Sequence, residues 1–321
     1  MDPSALWLNE HSPLLRTPLT ALLVVAEVGS FSDAAERLGM AQSTLSYAVR
    51  QAEEALGVVI FERGRHGARL TPAGQAVMVQ ARHAALAVQA MHLSANGQLS
   101  GTLRIASCRS VLRHLITPAL QPFSARYPQV NVELTDTRGE HDEVAHLVSS
   151  GQVHLGLGRL PMPASLVTTP VLGDEYLLVS AANSAPMRTW DDLQAARFIV
   201  CEEDCAPHVA AHIARHATAP VPAVRLHDAN VALGMVAAGQ GYTILSRLVV
   251  TPLLRGLRTT PLPVPLWRTT GLVTTPAGAQ HPLVTAFQDQ VLHPEGLRTR
   301  LGPLARLLTI PERLTARVPV P

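Results

Sequence analysis

The chain has 321 residues, 47% of them hydrophobic and 16% charged, with a formal net charge of +2. This length allows two or three domains with sizeable cores, and the balance excludes a disordered or fibrous chain. The longest apolar runs, near 21–26 and 229–238, are far short of a membrane span, and the acidic, polar start has no basic segment typical of a secretory signal.

Residues 1–14 read as a loose leader. Pro18 suits the first turn of a helix, with Leu19, Leu22, Leu23 and Ala26 as its buried stripe. Ser32 is the expected N-cap of a second helix carrying Ala34, Ala35 and Leu38 on one face, and Gly39 stops it. A third helix opens after Ala41-Gln42, with Leu45, Val49, Ala52 and Leu56 as its apolar stripe. Two short helices crossing steeply through small alanines have the form of a helix-turn-helix, whose second helix enters the DNA major groove. An ordinary helical hairpin is the alternative.

The segment after the third helix weighs against that alternative. Val58–Phe61 reads as a strand, and residues 62–70 as a turn and a return strand on which Arg63, Arg65 and Arg69 crowd. Residues 1–96 hold seven Arg against eight Asp plus Glu, so any phosphate binding has to come from such local clustering. Thr71-Pro72 is a strong helix start, and the Ala-rich pattern runs on to about Ser94. Met78, Ala81, Ala85 and Val88 form a seam at steps of three and four, expected to meet a partner helix. Residues 97–100 are the hinge that ends this part.

From Thr102 strands and helices alternate, as in a mostly parallel α/β sheet. Strands are expected at 103–106, 130–134, 153–158, 176–180, 198–200, 224–226 and 242–245. Ligands in such sheets bind where strand ends lead into helices. Ser107-Cys108-Arg109-Ser110 follows the first strand and suits a carboxylate, and Arg159 closes another strand. Cys201-Glu202-Glu203-Asp204-Cys205, with His208 beyond, invites a redox or metal reading. Three carboxylates beside a thiol would raise its pKa rather than activate it, and the spacing lacks a fourth zinc ligand. Three cysteines, an odd number, argue against a disulfide framework and for a reducing cytoplasm. No catalytic, cofactor or metal signature stands at credible spacing, so the chain does not read as an enzyme.

The N-terminal third resembles the LysR-type transcriptional regulators. The matching residues are Gly29-Ser30-Phe31-Ser32, Ala34-Ala35, Leu38, Ala41-Gln42-Ser43, Leu45-Ser46, Glu53, Leu56-Gly57, Phe61-Glu62-Arg63 and Leu70-Thr71-Pro72-Ala73-Gly74. Phe123, Tyr127-Pro128, Gly156-Leu157-Gly158-Arg159 and Ala238-Gly239-Gln240-Gly241 extend the resemblance more loosely over the remainder. Ala52, Leu22 and His154 depart from the family pattern; an acidic residue is common at the last position.

The resemblance implies an α/β protein with a winged helix-turn-helix at 15–71, a dimerising linker helix at 72–96, and an effector domain at 101–302 like that of periplasmic solute-binding proteins. Its lobes would be 101–165 plus 268–302 and 166–267, with 303–321 as an arginine-bearing tail. It further implies a dimer through the linker helix, assembly to a homotetramer, promoter DNA as partner, and a small effector between the lobes. Ser32, Gln42, Ser43, Thr44, Ser46, Tyr47, Arg50, Arg63 and Arg65 are the expected DNA contacts. Ser107, Cys108, Ser110, Arg159 and Glu202 are the expected effector contacts, with a carboxylate favoured. Two alternatives stand beside this: a redox sensor of the same family using Cys201 or Cys205, and a solute-binding protein, which would leave the first hundred residues idle. If Arg65 clamps phosphate, Arg65→Ala weakens binding to all DNA sequences alike and lowers the salt slope by about one. Unaltered nonspecific affinity and salt dependence in a titration would refute the wing assignment.

Overall fold

The computed structural model describes residues 18–64, 67–202 and 206–311. The expected leader at 1–14, Arg65, Cys205 and the last ten residues lie outside the described residues. The N-terminal part consists of α1 (Pro18–Val28), α2 (Phe31–Arg37), α3 (Gln42–Leu56) and an antiparallel hairpin of β1 (Phe61–Gly64) and β2 (Gly67–Leu70). Ala34 and Ala35 are buried, which lets α2 cross close to its neighbours. Leu45, Val49 and Ala52 of α3 and five consecutive residues of α1, Ala21–Val25, complete the core.

Three local expectations change. The N-cap of α2 is Ser30, not Ser32: its backbone is extended and its hydroxyl accepts from the Asp33 amide at 3.4 Å. The helix starts early because Phe31 is drawn into the core, edge-on to Phe61 at 5.9 Å. Leu56 leaves the α3 stripe and is exposed, since Gly57, at φ +68°, turns the chain away. The strand begins at Phe61 and not at Val58. The Glu53 carboxylate accepts from the Ile60 and Phe61 amides at 2.7 and 3.1 Å, and the Ile60 carbonyl accepts from Thr71. The Ile60 amide and carbonyl are therefore taken, and the ladder starts one residue later, at Phe61.

The linker helix α4 (Pro72–Asn96) starts as its sequence demands, with Thr71 Oγ1 accepting from the Gly74 amide at 2.8 Å. The same hydroxyl donates to the Val59 carbonyl at 2.7 Å. The seam reading requires correction. Met78, Ala81 and Ala85 are buried inside this chain's own N-terminal core, where α4 packs on α1. A different stripe at the same helical period is exposed: Ala73, Ala76, Gln80, Ala84, Ala87 and Met91.

The C-terminal part contains a six-stranded sheet ordered β4-β3-β5-β10-β6-β9 and a two-stranded one, β7-β8. Its strands are β3 (Gly101–Cys108), β4 (Val130–Thr137), β5 (Leu155–Arg159), β6 (Val167–Ala181), β7 (Phe198–Cys201), β8 (Pro222–Leu226), β9 (Thr243–Ser246) and β10 (Leu257–Thr274). The sheet is mixed rather than mostly parallel. β3 pairs in parallel with β4 and β5, whereas β5–β10, β10–β6 and β6–β9 are antiparallel. The long strands β6 and β10 pair along almost their whole length and run through both lobes.

Pro261, Pro263 and Pro265 hide β10 in the sequence. The stretch around them borders only β6, so their missing N–H groups cost no ladder bond, and the register slips between Pro261 and Leu266. α5 (Arg109–Val111), one π-helical turn and α6 (Thr117–Arg126) follow β3 without a break, and α7 (Asp142–Ser149) precedes β5. Lobe two holds α8 (Trp190–Ala195), α9 (Ala206–His216), α10 (Ala229–Ala237) and α11 (Arg247–Val250), and the chain returns through α12 (Pro282–Val291) and α13 (Pro294–Leu301).

The segment after 302 is not a surface tail as far as it is described. Leu304, Leu308 and Ile310 are buried in the lobe-one core, and Thr309 pairs with Gly173 of β6. Arg298 is spent on Glu295 and the Ile310 carbonyl. Among the described residues no single helix is long and apolar enough to cross a membrane.

Gly74 is needed where α4 meets the Ile60 loop, because a Cβ there would lie 2.2 Å from the Ile60 carbonyl oxygen. Gly74→Ala is expected to destabilise the N-terminal domain by about 1–3 kcal/mol, as overpacking does. A urea melt of the purified variant measures this, and an unchanged midpoint would contradict the packing.

Candidate DNA-binding surface and effector cleft

α3 divides cleanly into two faces. Leu45 and Val49 are fully buried, while Gln42, Ser43, Thr44, Tyr47 and Arg50 are exposed and Ser46 is half-buried. Ala41 caps the helix without a side-chain bond, so the Gln42 and Ser43 amides at its start have no capping side chain. The Tyr47 hydroxyl accepts from Gln51 Nε2 at 3.0 Å. Ser32 is exposed on α2, its hydroxyl within 3.0 Å of Ser30 Oγ and donating to Asp33 at 3.2 Å. On the hairpin, the Arg63 guanidinium lies 4.1 Å from the centre of the Phe31 ring, which fixes it beside α2. The Ala68 amide donates to the Gly29 carbonyl at 2.7 Å, and Gly67 leaves the space for that approach. Hairpin and helices are thus tied together, with Arg63 held beside α2.

The cleft between the lobes is organised by a buried charge cluster. Arg268 of β10 is 2% exposed. It donates to Asp174 Oδ2 at 2.9 and 3.2 Å, to Ser246 Oγ at 2.8 Å and to Glu140. Glu140 also accepts from Arg159 Nε at 2.8 Å and from the Tyr176 hydroxyl at 3.0 Å. Burial alone would lower the Arg268 pKa; the Glu140 and Asp174 carboxylates outweigh it and hold the group well above its ordinary value. Beside this cluster is a cavity of about 80 Å³ lined by Ser110, Arg113, Asn230, Ser246 and Arg268 among others. At its rim Arg109 of α5 reaches Asp136 at 3.3 Å in its own lobe and Asp228 at 3.6 Å in the other.

The structure separates the sequence-expected effector residues. Ser110, 7% exposed, lines the cavity, with its hydroxyl 3.6 Å from the Cys108 thiol. Ser107 is fully buried, and its hydroxyl donates to the Leu157 carbonyl at 2.7 Å, tying β3 to β5. Arg159 is committed to Glu140, so its role in the structure is the ion pair. Glu202 pairs with Arg225 at 3.1 Å and His227 at 3.5 Å, and faces a separate hollow of about 460 Å³ between β7, β8 and α9. Arg113, Asn230 and Arg268 are cleft residues that the sequence reading missed. Arg113 lies one helical turn beyond Arg109, a spacing that was available as a signal; Arg268 was hidden behind the prolines of β10.

Family models match nearly the whole described chain. The model described as "Bacterial regulatory helix-turn-helix protein, lysR family" covers residues 17–75, and "LysR substrate binding domain" covers 96–293. The chain belongs to the LysR family. It is a DNA-binding transcriptional regulator with an effector-binding domain. The probable HTH-type transcriptional regulator LrrA of Synechococcus elongatus is 34% identical over 280 residues, covering 85% of this chain and 95% of that protein. BenM of Acinetobacter baylyi is 25% identical over 241 residues, 71% of this chain and 78% of that one.

Among solved structures, a full-length OxyR variant from Pseudomonas aeruginosa superposes with a TM-score of 0.69 at 19% identity, over 85% of this chain and 96% of that one. Full-length CbnR complexed with its target DNA gives 0.57 at 22% identity, over 85% and 97%. These two likenesses establish the fold. The periplasmic-binding-protein-like form of the effector domain and the helix-turn-helix are thus common to this LysR regulator and its relatives.

Arg268→Met is expected to lower the stability of the effector domain by about 3–5 kcal/mol, because it leaves the buried Asp174 carboxylate without its arginine and takes one of two arginines from Glu140. Urea unfolding followed by tryptophan fluorescence reads this, and a loss below about 1 kcal/mol would show that the cluster does not hold the lobes together.

Proposed function

We propose that this LysR regulator reads promoter DNA as a dimer through the exposed face of α3 and the arginine hairpin, under control of a small carboxylate held in the cleft. The observation that carries the effector reading is Arg113. It lines the cavity next to Ser110 and makes no ion pair with the described residues, whereas Arg159 and Arg268 are neutralised by Glu140 and Asp174. A carboxylate would take Arg113 and the Ser110 hydroxyl as donors. The cavity is well below the ~300–1,000 Å³ usual for drug-sized ligands, which favours a compact acid or an opening of the lobes on binding. Such an opening would break the Arg109–Asp228 contact across the rim.

On the DNA side, Gln42 and Ser43 stand at the uncapped start of α3, where free amides suit phosphate and a glutamine can read adenine bidentately. Thr44, Ser46, Tyr47 and Arg50 extend that surface, and Ser32 and Arg63 flank it. The exposed stripe of α4 through Ala73, Ala76, Gln80 and Ala84 is the face available to a partner helix, since the other face is already packed. A homotetramer would follow by a further contact between effector domains.

Gel-shift titrations on the DNA upstream of its own gene, with and without a panel of small carboxylates, test this reading. Gln42→Ala should cost about 1–3 kcal/mol at one base position and little elsewhere. Arg113→Ala should keep basal DNA affinity and lose the response to the acid. A response that survives Arg113→Ala would exclude this cleft assignment.

A further inference from the structure

A second cavity lies outside the cleft, where the linker helix meets lobe one. It has a volume of about 430 Å³, within the range of small-molecule sites. One wall is α4, through His83, Leu86, Ala87 and Ala90; the other is lobe one, through His281 and through Leu166, which packs with Ala106 and Val273 rather than with the lobe expected from the sequence. Its lining is mostly apolar, but two imidazoles in it each have a nitrogen without a protein partner among the described residues. His281 is 3% exposed, and its Nδ1 accepts from the Leu283 amide at 3.3 Å as the cap of α12. That bond puts the proton on Nε2, and Nε2 is buried with no protein acceptor. His83 Nε2 is buried in the same condition. Beside them His154, whose ring meets His281 at 5.0 Å, is fully engaged. It accepts from the Arg104 amide at 3.0 Å and donates to Gln89 Oε1 at 3.0 Å. Burial pushes His281 down to about 4 and, with His281 nearby, lowers His154 well below its ordinary value, so both rings are neutral at neutral pH.

We propose that this junction is a second small-molecule site, for an uncharged, mainly apolar molecule carrying one carbonyl-type acceptor. The apolar walls supply the bulk of the binding, and the unpaired His281 N–H selects an acceptor over a plain hydrocarbon. An ionised acid is disfavoured, because these neutral rings would have to be recharged inside a buried layer. The site bears on output through its position. Gln89, the neighbour of Ala90 on α4, holds the helix to lobe one through His154 and through the Thr102 carbonyl at 3.5 Å. A molecule packed between the two walls therefore favours the docked arrangement of the linker helix over any other.

The test uses the full-length protein and two matched probes, acetophenone and ethylbenzene, with binding followed by ligand-observed NMR and calorimetry. Acetophenone should bind the wild type and bind about fivefold more tightly than ethylbenzene, the worth of one neutral hydrogen bond. His281→Leu should remove that preference, and Ser165→Phe, which fills the cavity from its exposed lobe-one rim, should abolish binding of both probes. Ser165→Phe should leave oligomeric state and basal DNA affinity unchanged. No binding by acetophenone, equal binding of the two probes, or binding that survives Ser165→Phe would each overturn the proposal. So would a changed oligomeric state in Ser165→Phe, which would mean that a second copy of the chain fills the space. If His281→Leu fails to fold, the probe pair and Ser165→Phe still decide the outcome.

Discussion

Arg268 sits where β10 passes from one lobe to the other, and its guanidinium joins three separate pieces of chain. Glu140 comes from the loop before α7, Asp174 from the crossing strand β6, and Ser246 from the end of β9. A charge so deeply buried is tolerated only because two carboxylates and a hydroxyl meet it. The relative placement of the lobes, and so the shape of the cleft between them, is tied to this one set of bonds. Removing the guanidinium would leave the Asp174 carboxylate without an ion-pair partner where water does not reach.

The N-terminal domain is held by a different kind of constraint. Its hub is the short loop 58–60, which has no regular structure of its own. Glu53 binds it from α3, Thr71 binds it from the start of α4, and Gly74 leaves room for it. Recognition helix, hairpin and linker helix therefore meet on backbone groups rather than on side-chain packing alone. The α4 seam adds apolar burial between Met78, Ala81, Ala85 and α1, each large side chain contributing roughly 1.5–3 kcal/mol.

Much of this domain was legible because its signals are local. Gly39 ends α2, Thr71-Pro72 starts α4, and the stripe through Leu45 and Val49 faces inward as its spacing requires. What escaped was decided by distant chain. The seam of α4 has the period of a helix contact, but periodicity cannot say whether the partner is another molecule or this chain's own α1. β10 was missed because a strand bordered on one side tolerates prolines that local reading takes as breakers. The cleft was half legible: Ser110 lines it, yet Arg159 and Glu202 have found other partners, and Arg113, which makes no ion pair with the described residues, lines it unannounced.

The pairing of Thr309 with Gly173 has a consequence in time. The N-terminal domain is complete within the first hundred residues and can fold early during synthesis. Lobe one cannot: its β6 edge waits for a residue made 136 positions later. At translation speeds of roughly 5–20 residues per second, that interval lasts on the order of 10 s. During it, the finished reading head is carried by a nascent chain whose sensor is still unassembled.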